Sequence, residues 1–373
     1  MTISDKQHIT ISKETLSFQL TTQKEDEKPI FISGSFNNWN VADRRFQFKK
    51  MGPKTYRFSF PNEVELVYPI EFKFLRGGWD EVELDEHGNN VANRILEKHN
   101  SLVKIEIPQF ADKKNSYDKA RLPKIVIISN HFEIPQLIKT RRITALLPFD
   151  YYETNKRYPV LYLQDGQNLF DDYAPYGNWG VDKKLAEMSP EGMGDIIIIA
   201  IDHGKEERLA EFTPNLTNTG KFRKKEGKQY IRFLADTLKP HIDKNFRTLP
   251  DVKNTGIGGS SMGGLISIYA GLVYPEVYSR LMIFSPSLWV MPNMYFGGIH
   301  VEQSFDTRIY LYAGGKESKN MVPNAEKFRE IATKKGQEDS QIDFHFSLDP
   351  NGVHSEYHWG QEFPKAIKWL FFR

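Results

Sequence analysis

The chain has 373 residues, of which 39% are hydrophobic and 13% aromatic, and this composition excludes a wholly disordered protein. The 50 basic and 48 acidic residues nearly cancel, so the net charge of +2 gives no electrostatic signature of a nucleic-acid or anionic-membrane partner. The absence of cysteine excludes disulfides, thiolate metal sites and a cysteine nucleophile.

The first residues, MTISDKQHITISKETLSF, have neither the apolar core nor the cleavage site of a secretory signal peptide. The chain also lacks any run of about 18 apolar residues, the length that a membrane-spanning helix needs. We therefore expect a cytoplasmic protein that does not enter a membrane, although an exported protein whose leader had been removed would begin in the same way.

Residues 1–108 alternate apolar and polar side chains with a period near two, in the segments ITISKETLSFQL, PIFISGSF, TYRFSFP, YPIEFKFLRGGW and SLVKIEI. Turn residues separate these segments, which is typical of a small antiparallel β-sandwich with an immunoglobulin-like architecture. A polar stretch bounded by prolines follows, and we predict a linker over residues 109–124.

Residues 125–373 show a different pattern, in which apolar strands alternate with helical segments. The strands include YPVLYLQDG, DIIIIAIDH, RLMIFSPS and RIYLYAGG, and the helices include KQYIRFLADTLKPHID and PNAEKFREIATKKG. The run IIIIA is apolar at every position, as expected for a strand covered on both faces. The pattern predicts an α/β domain with a mostly parallel sheet and functional loops at the carboxyl ends of its strands.

The segment NTGIGGSSMGGLIS, residues 254–267, contains two adjacent serines among four glycines. Only Ser261 has glycine two positions before and two positions after it, at Gly259 and Gly263. This spacing, between a predicted strand and a predicted helix, is typical of a nucleophile on a sharp turn that only small neighbours permit. We predict that Ser261 rather than Ser260 is the nucleophile.

A serine hydroxyl needs a general base, and the chain order of serine, acid and histidine points to the C-terminal histidines. His354 lies in DPNGVHSEYHWG, a predicted loop between the last strand and the last helix, whereas His345 lies inside a predicted strand. We expect His354 to be the base, with His358 as the alternative. HSEYH lacks the spacing of zinc-binding helix motifs, so we predict no metal site there.

The acid that orients the base is expected in the loop after the preceding strand, RIYLYAGGKES, where Glu317 is the carboxylate. Asp349 and Asp343, on the next strand, are the alternatives. For the oxyanion hole we predict the backbone amide of Met262 and an amide in the loop LYLQDGQNLFDD, that of Gln167 or Gly166.

Several separated motifs resemble the esterase branch of the α/β hydrolases, which includes esterase D, the enterochelin esterases, and the feruloyl and acetyl-xylan esterases. The matching segments, within about residues 125–373, are RYPVLYLQDGQNLFDD, GNWGVDKKL, GIGGSSMGGLISIYAGLVYPEVYSRLMIFSPSLW, IYLYAGGKES and GVHSEYHW. The resemblance implies an α/β-hydrolase fold with Ser261 as nucleophile, His354 as base and Glu317 as acid, where relatives often have Asp.

The same resemblance implies that Trp179, Arg208 and Trp289 lie near the cleft and bind substrate. Two tryptophans facing a pocket would suit an aromatic ring or a sugar face. The alternative is that each tryptophan is a core side chain.

The N-terminal segments FISGSFNNWN and EFKFLRGGWDEVELDEHGNNVANR resemble family-48 carbohydrate-binding modules. The resemblance implies that Trp39, Lys73, Trp79 and Asn93 contact a sugar, with the tryptophans as stacking platforms. The alternative is a module that serves as a lid or docking domain and binds no glycan.

Together these features predict a serine carboxylesterase that hydrolyses an acylated saccharide or a related ester through an acyl-enzyme, without metal or organic cofactor. The expected partners are a small-molecule or saccharide ester and, for the N-terminal domain, a polysaccharide. One alternative is a siderophore trilactone esterase, which would need a basic pocket. The alternative from another class is a glycan-binding protein with a vestigial hydrolase domain.

Overall fold

A computed structural model describes residues 15–25, 28–41, 43–86, 91–111, 117–171, 174, 177–214, 225–290, 306–339 and 342–373. The chain forms two compact units that divide between residues 115 and 116. This division lies inside the range predicted as a linker, 109–124, while the domain bounds 1–108 and 125–373 stay a prediction.

The first unit is built of short strands. They are β1 (Ser17–Thr22), β2 (Phe31–Gly34), β3 (Lys49–Gly52), β4 (Thr55–Ser59), β5 (Ile70–Leu75), β6 (Glu83–Leu84), β7 (Arg94–Leu96), β8 (Leu102–Ile107) and β9 (Gln109–Phe110). One sheet has the order β3-β4-β1-β8, a second has the order β2-β5-β7, and β6 pairs with β9. The period-two segments predicted β1, β2, β4, β5 and β8, because alternate side chains of a strand point to the same face. Phe18, Phe72 and Phe74 meet in the core, with ring centroids 5.2 to 6.0 Å apart.

One pairing differs from the expected antiparallel arrangement. β1 pairs with β4 antiparallel but with β8 parallel, with Leu20 opposite Ile105. A parallel pair needs a long crossover connection, and here the rest of the unit supplies it. Local turn signals could not reveal this pairing, because the two strands are separated by most of the unit.

The second unit contains an eight-stranded sheet. Its strands are β10 (Lys124–Ile134), β11 (Lys139–Leu147), β12 (Val160–Gln164), β13 (Ile197–Ile201), β14 (Thr255–Ser260), β15 (Arg280–Phe284), β16 (Thr307–Gly314) and β17 (Ile342–Asp349), in the order β10-β11-β13-β12-β14-β15-β16-β17. β10, β11 and β13 pair antiparallel, and all pairs from β13 to β17 are parallel.

Helices flank this sheet. They are α1 (Val181–Met188), α2 (Arg208–Glu211), α3 (Gly227–Phe233), α4 (Lys239–Asn245), α5 (Met262–Val273), α6 (Met321–Asp339) and α7 (Glu356–Phe371), and a π-helical turn, Leu234–Leu238, joins α3 to α4. Two buried clusters form the core, and strands β11, β12, β13, β15 and β16 contribute side chains to both. The predicted α/β fold with a mostly parallel sheet is therefore confirmed.

The helices within the described ranges include none that is both long enough and apolar enough to cross a membrane.

Candidate active site

Ser261 lies on a sharp turn between β14 and α5, with φ 55° and ψ −121°. A positive φ is costly for any residue that carries a side chain, so the surrounding structure must hold it. The Ser261 N–H donates to the carbonyl of Phe284, and its own carbonyl accepts from the N–H of Ser287, both at 3.0 Å. Ser260, in contrast, is the buried last residue of β14.

The glycines around Ser261 let the strand and the helix approach each other closely. A Cβ on Gly259 would lie 2.9 Å from the carbonyl carbon of Gly263, and a Cβ on Gly263 would lie 2.9 Å from Asp165 Oδ2. A side chain at Gly259 would push β14 away from α5, and a side chain at Gly263 would push α5 away from the end of β12. The spacing that selected Ser261 in the sequence therefore has a steric basis.

Glu317 and His354 are brought together by the last two strands of the sheet. Gly314, at the end of β16, pairs in register with Asp349, at the end of β17, so the loops that follow these residues are neighbours. His354 Nδ1 lies 2.7 Å from Glu317 Oε2. The Glu317 side chain is 1% exposed, and the His354 side chain is 40% exposed.

The other carboxylate oxygen of Glu317 also has hydrogen-bond donors. Oε1 accepts from the N–H of Gly314 at 2.7 Å and from Ser285 Oγ at 2.5 Å. A carboxylate that only accepts fixes the imidazole tautomer, since His354 Nδ1 must then carry the proton. His354 Nε2 is left with the lone pair that a general base needs.

The hydroxyl of Ser261 is hydrogen-bonded to another serine. Ser261 Oγ lies 3.2 Å from Ser287 Oγ, and within the described ranges no hydrogen bond joins it to His354. Catalytic hydrogen bonds are often long before substrate binds, so this geometry is compatible with later transfer of the Ser261 proton to His354.

The alternative base and acids have other partners. His358 Nδ1 lies 3.0 Å from Ser355 Oγ. Asp343 forms an ion pair with Arg373 at 2.5 Å, and Asp349 Oδ1 accepts from the N–H of Asn351 at 2.9 Å. The geometry therefore favours His354 and Glu317 over these alternatives.

Met262 and Gln167 lie at the starts of helical turns. Met262 is the first residue of α5, and Gln167 lies in a 3-10 helix, Gly166–Asn168, that follows β12. The first amides of a helix have no partner within the helix, and they carry partial positive charge. The side chain of Gln167 is anchored by the N–H of His203, which donates to Oε1 at 2.9 Å.

Arg208 is held by Asp165 in a bidentate ion pair. Its Nε and Nη2 donate to the two carboxylate oxygens at 2.6 and 2.7 Å. Burial alone would lower the pKa of Arg208, but the hydrogen bonds and charge of Asp165 raise it overall. Two of the guanidinium nitrogens are therefore hydrogen-bonded to Asp165, in the loop that follows β12.

Glu356 adds a carboxyl group beside this ion pair. Asn168 Nδ2 donates to Glu356 Oε1 at 3.3 Å. Burial raises the pKa of Glu356 to about 7, and the negative charge of Asp165 adds to the effect. The backbone N–H of Glu356, His354 and Arg208 act in the opposite direction. Glu356 was not singled out from the sequence, because only the folded chain places it against these loops.

The two tryptophans predicted to bind substrate differ in environment. Trp179 is 3% exposed, and its ring stacks on Phe284 with centroids 5.3 Å apart, so it is a core side chain with no face open to a ligand. Trp289 is 54% exposed. The substrate-binding prediction is therefore corrected for Trp179 and stays a prediction for Trp289.

The residues predicted to contact a sugar lie in the first unit. The rings of Trp39 and Trp79 are 6.0 Å apart at 41°, with Trp79 well exposed. Asn93 Nδ2 donates to Glu71 Oε2 at 3.2 Å. Lys73 is buried on β5, and a buried side chain offers no surface to a sugar ring, so the prediction for Lys73 is corrected.

One group of carboxylates in the described part of the chain has the spacing of a metal site, namely Glu207, Glu211 and Glu226. The ammonium group of Lys139 forms ion pairs with all three, and Arg141 binds Glu211 at 2.7 Å. Two positive side chains thus already pair with these carboxylates.

Besides Glu356, three residues of the site were not assigned from the sequence. Ser285 and Ser287 lie in the motif SPSLW, which was interpreted only through its tryptophan, and Trp359 follows the predicted base. Trp359 Nε1 donates to Ser285 Oγ at 2.9 Å. The sequence signal that could have indicated Ser285 and Ser287 is the pair of serines directly after a buried strand.

Comparison with known proteins identifies relatives. The family described as "Putative esterase" matches residues 135–370. An uncharacterized Bacillus subtilis protein, YbbA, is 24% identical over 246 residues, which cover 62% of this chain and 92% of that protein. A Xylanibacter ruminicola endo-1,4-beta-xylanase/feruloyl esterase is 30% identical over 167 residues, which cover 40% of this chain and 21% of that protein.

A solved structure extends the likeness to nearly the whole chain. The enterobactin esterase of Shigella flexneri, determined in the presence of 2,3-dihydroxy-N-benzoyl-serine, has a TM-score of 0.53 at 15% identity. The match covers 97% of this chain and 94% of that one. At this identity the likeness shows a shared fold.

The raised pKa of Glu356 predicts a pH-dependent stability. The folded state holds this proton more tightly than the unfolded state, so stability falls as pH rises from 4.5, the usual pKa of a glutamate, to about 7. The substitution Glu356→Gln removes the free-energy cost of ionising this buried carboxyl group. We expect urea unfolding at pH 5 and pH 8 to show that the variant gains stability relative to wild type at the higher pH, on the order of 2 kcal/mol.

The matched control is Glu330→Gln, on an exposed position of α6, which should change the free energy of unfolding little at either pH. If the difference between Glu356→Gln and wild type is the same at both pH values, the assigned environment of Glu356 is wrong.

Proposed function

The chain belongs to this esterase family, so it is a carboxylic ester hydrolase, and we propose that it cleaves an ester of an acylated saccharide or a related compound. Ser261 is the nucleophile, His354 is the general base, and Glu317 orients that base. This triad chemistry requires no metal or organic cofactor.

The reaction has two steps. Ser261 Oγ attacks the ester carbonyl carbon while His354 Nε2 takes the hydroxyl proton, and the oxyanion lies against the amides of Met262 and Gln167. The tetrahedral intermediate collapses to an acyl-enzyme as His354 returns the proton to the departing alcohol. Water, activated by the same nitrogen, then attacks the acyl-enzyme and releases the acid.

The observation that carries this proposal is the hydrogen bond between His354 Nδ1 and Glu317 Oε2. Glu317 is buried, and its other oxygen accepts two further hydrogen bonds, so a charged, acceptor-only carboxylate faces the imidazole. Such a carboxylate stabilises the imidazolium that forms when Ser261 loses its proton. A solvated surface glutamate would have none of these partners.

The charges beside the site support a neutral substrate. Arg208 gives Nε and Nη2 to Asp165, and Glu356 adds a carboxyl group next to that pair. An anionic siderophore would need uncommitted positive charge, so this arrangement favours an acylated saccharide over a siderophore trilactone. The sequence likeness to the xylanase/feruloyl esterase supports the same substrate class.

Ser261→Ala should abolish hydrolysis, because loss of a triad nucleophile costs on the order of a million-fold in turnover. The neighbouring Ser260→Ala is the matched control and should keep most activity. The measurement is hydrolysis of p-nitrophenyl acetate, butyrate and ferulate, acetyl-xylan and a trilactone by both variants and wild type. Equal activity of the two serine variants would refute the choice of nucleophile.

The substrate panel also tests the substrate class. We expect wild type to hydrolyse the neutral and saccharide esters with a higher kcat/KM than the trilactone. Preference for the trilactone would favour the siderophore esterase instead.

For the first unit we propose carbohydrate binding through Trp39 and Trp79. Their adjacent rings, with Trp79 exposed, supply the kind of aromatic surface on which a sugar ring stacks. The alternative is a module that binds no glycan, which polysaccharide in a gel would not retard.

Trp79→Ala should weaken binding to a polysaccharide by about tenfold or more, taking the stacking of bases on aromatic side chains as a guide. Affinity electrophoresis of the full chain in gels containing glycogen, starch or xylan measures this as lost retardation. Tyr152→Ala, which removes an exposed aromatic ring from the second unit, is the control and should migrate like wild type. If wild type is retarded in none of the three gels, the carbohydrate-binding proposal fails.

A further inference from the structure

Residues 285–287, Ser-Pro-Ser, follow directly after β15. In the sheet, β15 lies between β14, which leads to Ser261, and β16, which leads to Glu317. These three residues therefore emerge between the proposed nucleophile and the proposed acid, and they contact both.

Ser285 connects Glu317 to the core. Its Oγ accepts from Trp359 Nε1 at 2.9 Å and lies 2.5 Å from Glu317 Oε1. An indole N–H can only donate and a carboxylate can only accept, so the Ser285 hydroxyl must donate to Glu317. The direction of every hydrogen bond in the series Trp359, Ser285, Glu317, His354 is thus determined.

The backbone of Ser285 is also constrained. Its φ of 43° is in the left-handed region, which is costly for serine, and its N–H donates to the carbonyl of Tyr312 at 2.8 Å. The side chain is fully buried. The positive φ costs free energy, and packing alone does not require a serine at this position. The hydrogen bond to Glu317 therefore points to a role in the site.

Ser287 contacts the other end of the triad. Its Oγ is 3.2 Å from Ser261 Oγ, and its N–H donates to the Ser261 carbonyl at 3.0 Å. Trp359 makes a second contact as well, because its ring meets the His354 ring edge-on at 4.8 Å. Nucleophile, acid and base are therefore all touched by residues 285–287 or by Trp359.

We propose that Ser285 and Ser287 are positioning residues: Ser285 orients the Glu317 carboxylate toward His354, and Ser287 positions the Ser261 hydroxyl. The inference rests on the proposed triad. Ser285 contributes to catalysis only through Glu317, and this dependence makes the inference testable apart from the triad itself.

Ser285→Ala should lower kcat on p-nitrophenyl acetate by roughly 10- to 100-fold, as substitutions of residues that support a reacting group commonly do, with KM changed by less than about twofold. Ser285→Gly removes the same hydroxyl but tolerates the positive φ, so it separates the hydroxyl from backbone strain. The two variants should lose kcat equally. Ser287→Ala should also lower kcat with little change in KM.

The decisive experiment is a double-mutant cycle with Glu317→Ala. If Ser285 acts through Glu317, Ser285→Ala should cause no further loss of kcat in the Glu317→Ala background. In wild type, the proton between His354 Nδ1 and Glu317 should give a downfield NMR resonance, which should shift or vanish in Ser285→Ala. Ser279→Ala is the control, since this buried serine donates to Val252 at the opposite end of β15 and should leave kcat within about twofold of wild type.

The outcomes distinguish failure of the proposed role of Ser285, of Ser287 and of the triad. If the losses of kcat from Ser285→Ala and Glu317→Ala multiply in the double variant, Ser285 does not act through Glu317, and its proposed role is wrong. The role is also wrong if the Ser285 variants keep kcat within about twofold of wild type. A Ser287→Ala variant with unchanged kcat overturns the role of Ser287. If Glu317→Ala or Ser261→Ala is itself fully active, the proposed triad fails, and the inference fails with it.

Discussion

The parallel register of β14, β15, β16 and β17 is the constraint on which the candidate site depends. Parallel strands end at the same edge of a sheet, so the turn at Ser261, the serines at 285 and 287, Glu317 and His354 all emerge there although more than ninety residues separate the first from the last. No single loop could bring these groups together. The sheet supplies the proximity, and the loops supply the chemistry.

A buried carboxylate then sets the electrostatics. Glu317 is almost fully removed from water, and an uncompensated charge in such a place would be strongly destabilising. The N–H of Gly314, the hydroxyl of Ser285 and His354 Nδ1 compensate it with three hydrogen bonds. The same three contacts fix the direction in which the carboxylate points. The same three hydrogen bonds therefore both compensate the charge of Glu317 and orient His354.

The sequence was informative where chemistry is encoded by local spacing. The glycines at 259 and 263 selected Ser261 because they allow a close strand-to-helix turn, and the loops after the last two strands contained Glu317 and His354. Pairings between distant segments were not predictable. The ion pair of Arg208 with Asp165 had no local signal, and neither had the parallel pairing of β1 with β8. Trp179 was expected at a cleft but stacks on Phe284. Ser285 was overlooked because its importance comes from Trp359 and Glu317, which are far away in sequence.

Covalent labelling tests the central claim, that Ser261 is a nucleophile activated by this arrangement. A fluorophosphonate reacts with an activated serine, and trypsin cleavage after Lys253 and Arg280 leaves Ser260 and Ser261 together on one peptide, with Ser285 and Ser287 on the next. Tandem mass spectrometry of the labelled peptide locates the adduct. We expect a single adduct on Ser261 that is lost in His354→Ala. An adduct on Ser260 or Ser287, or esterase activity in protein that takes no label, would contradict it.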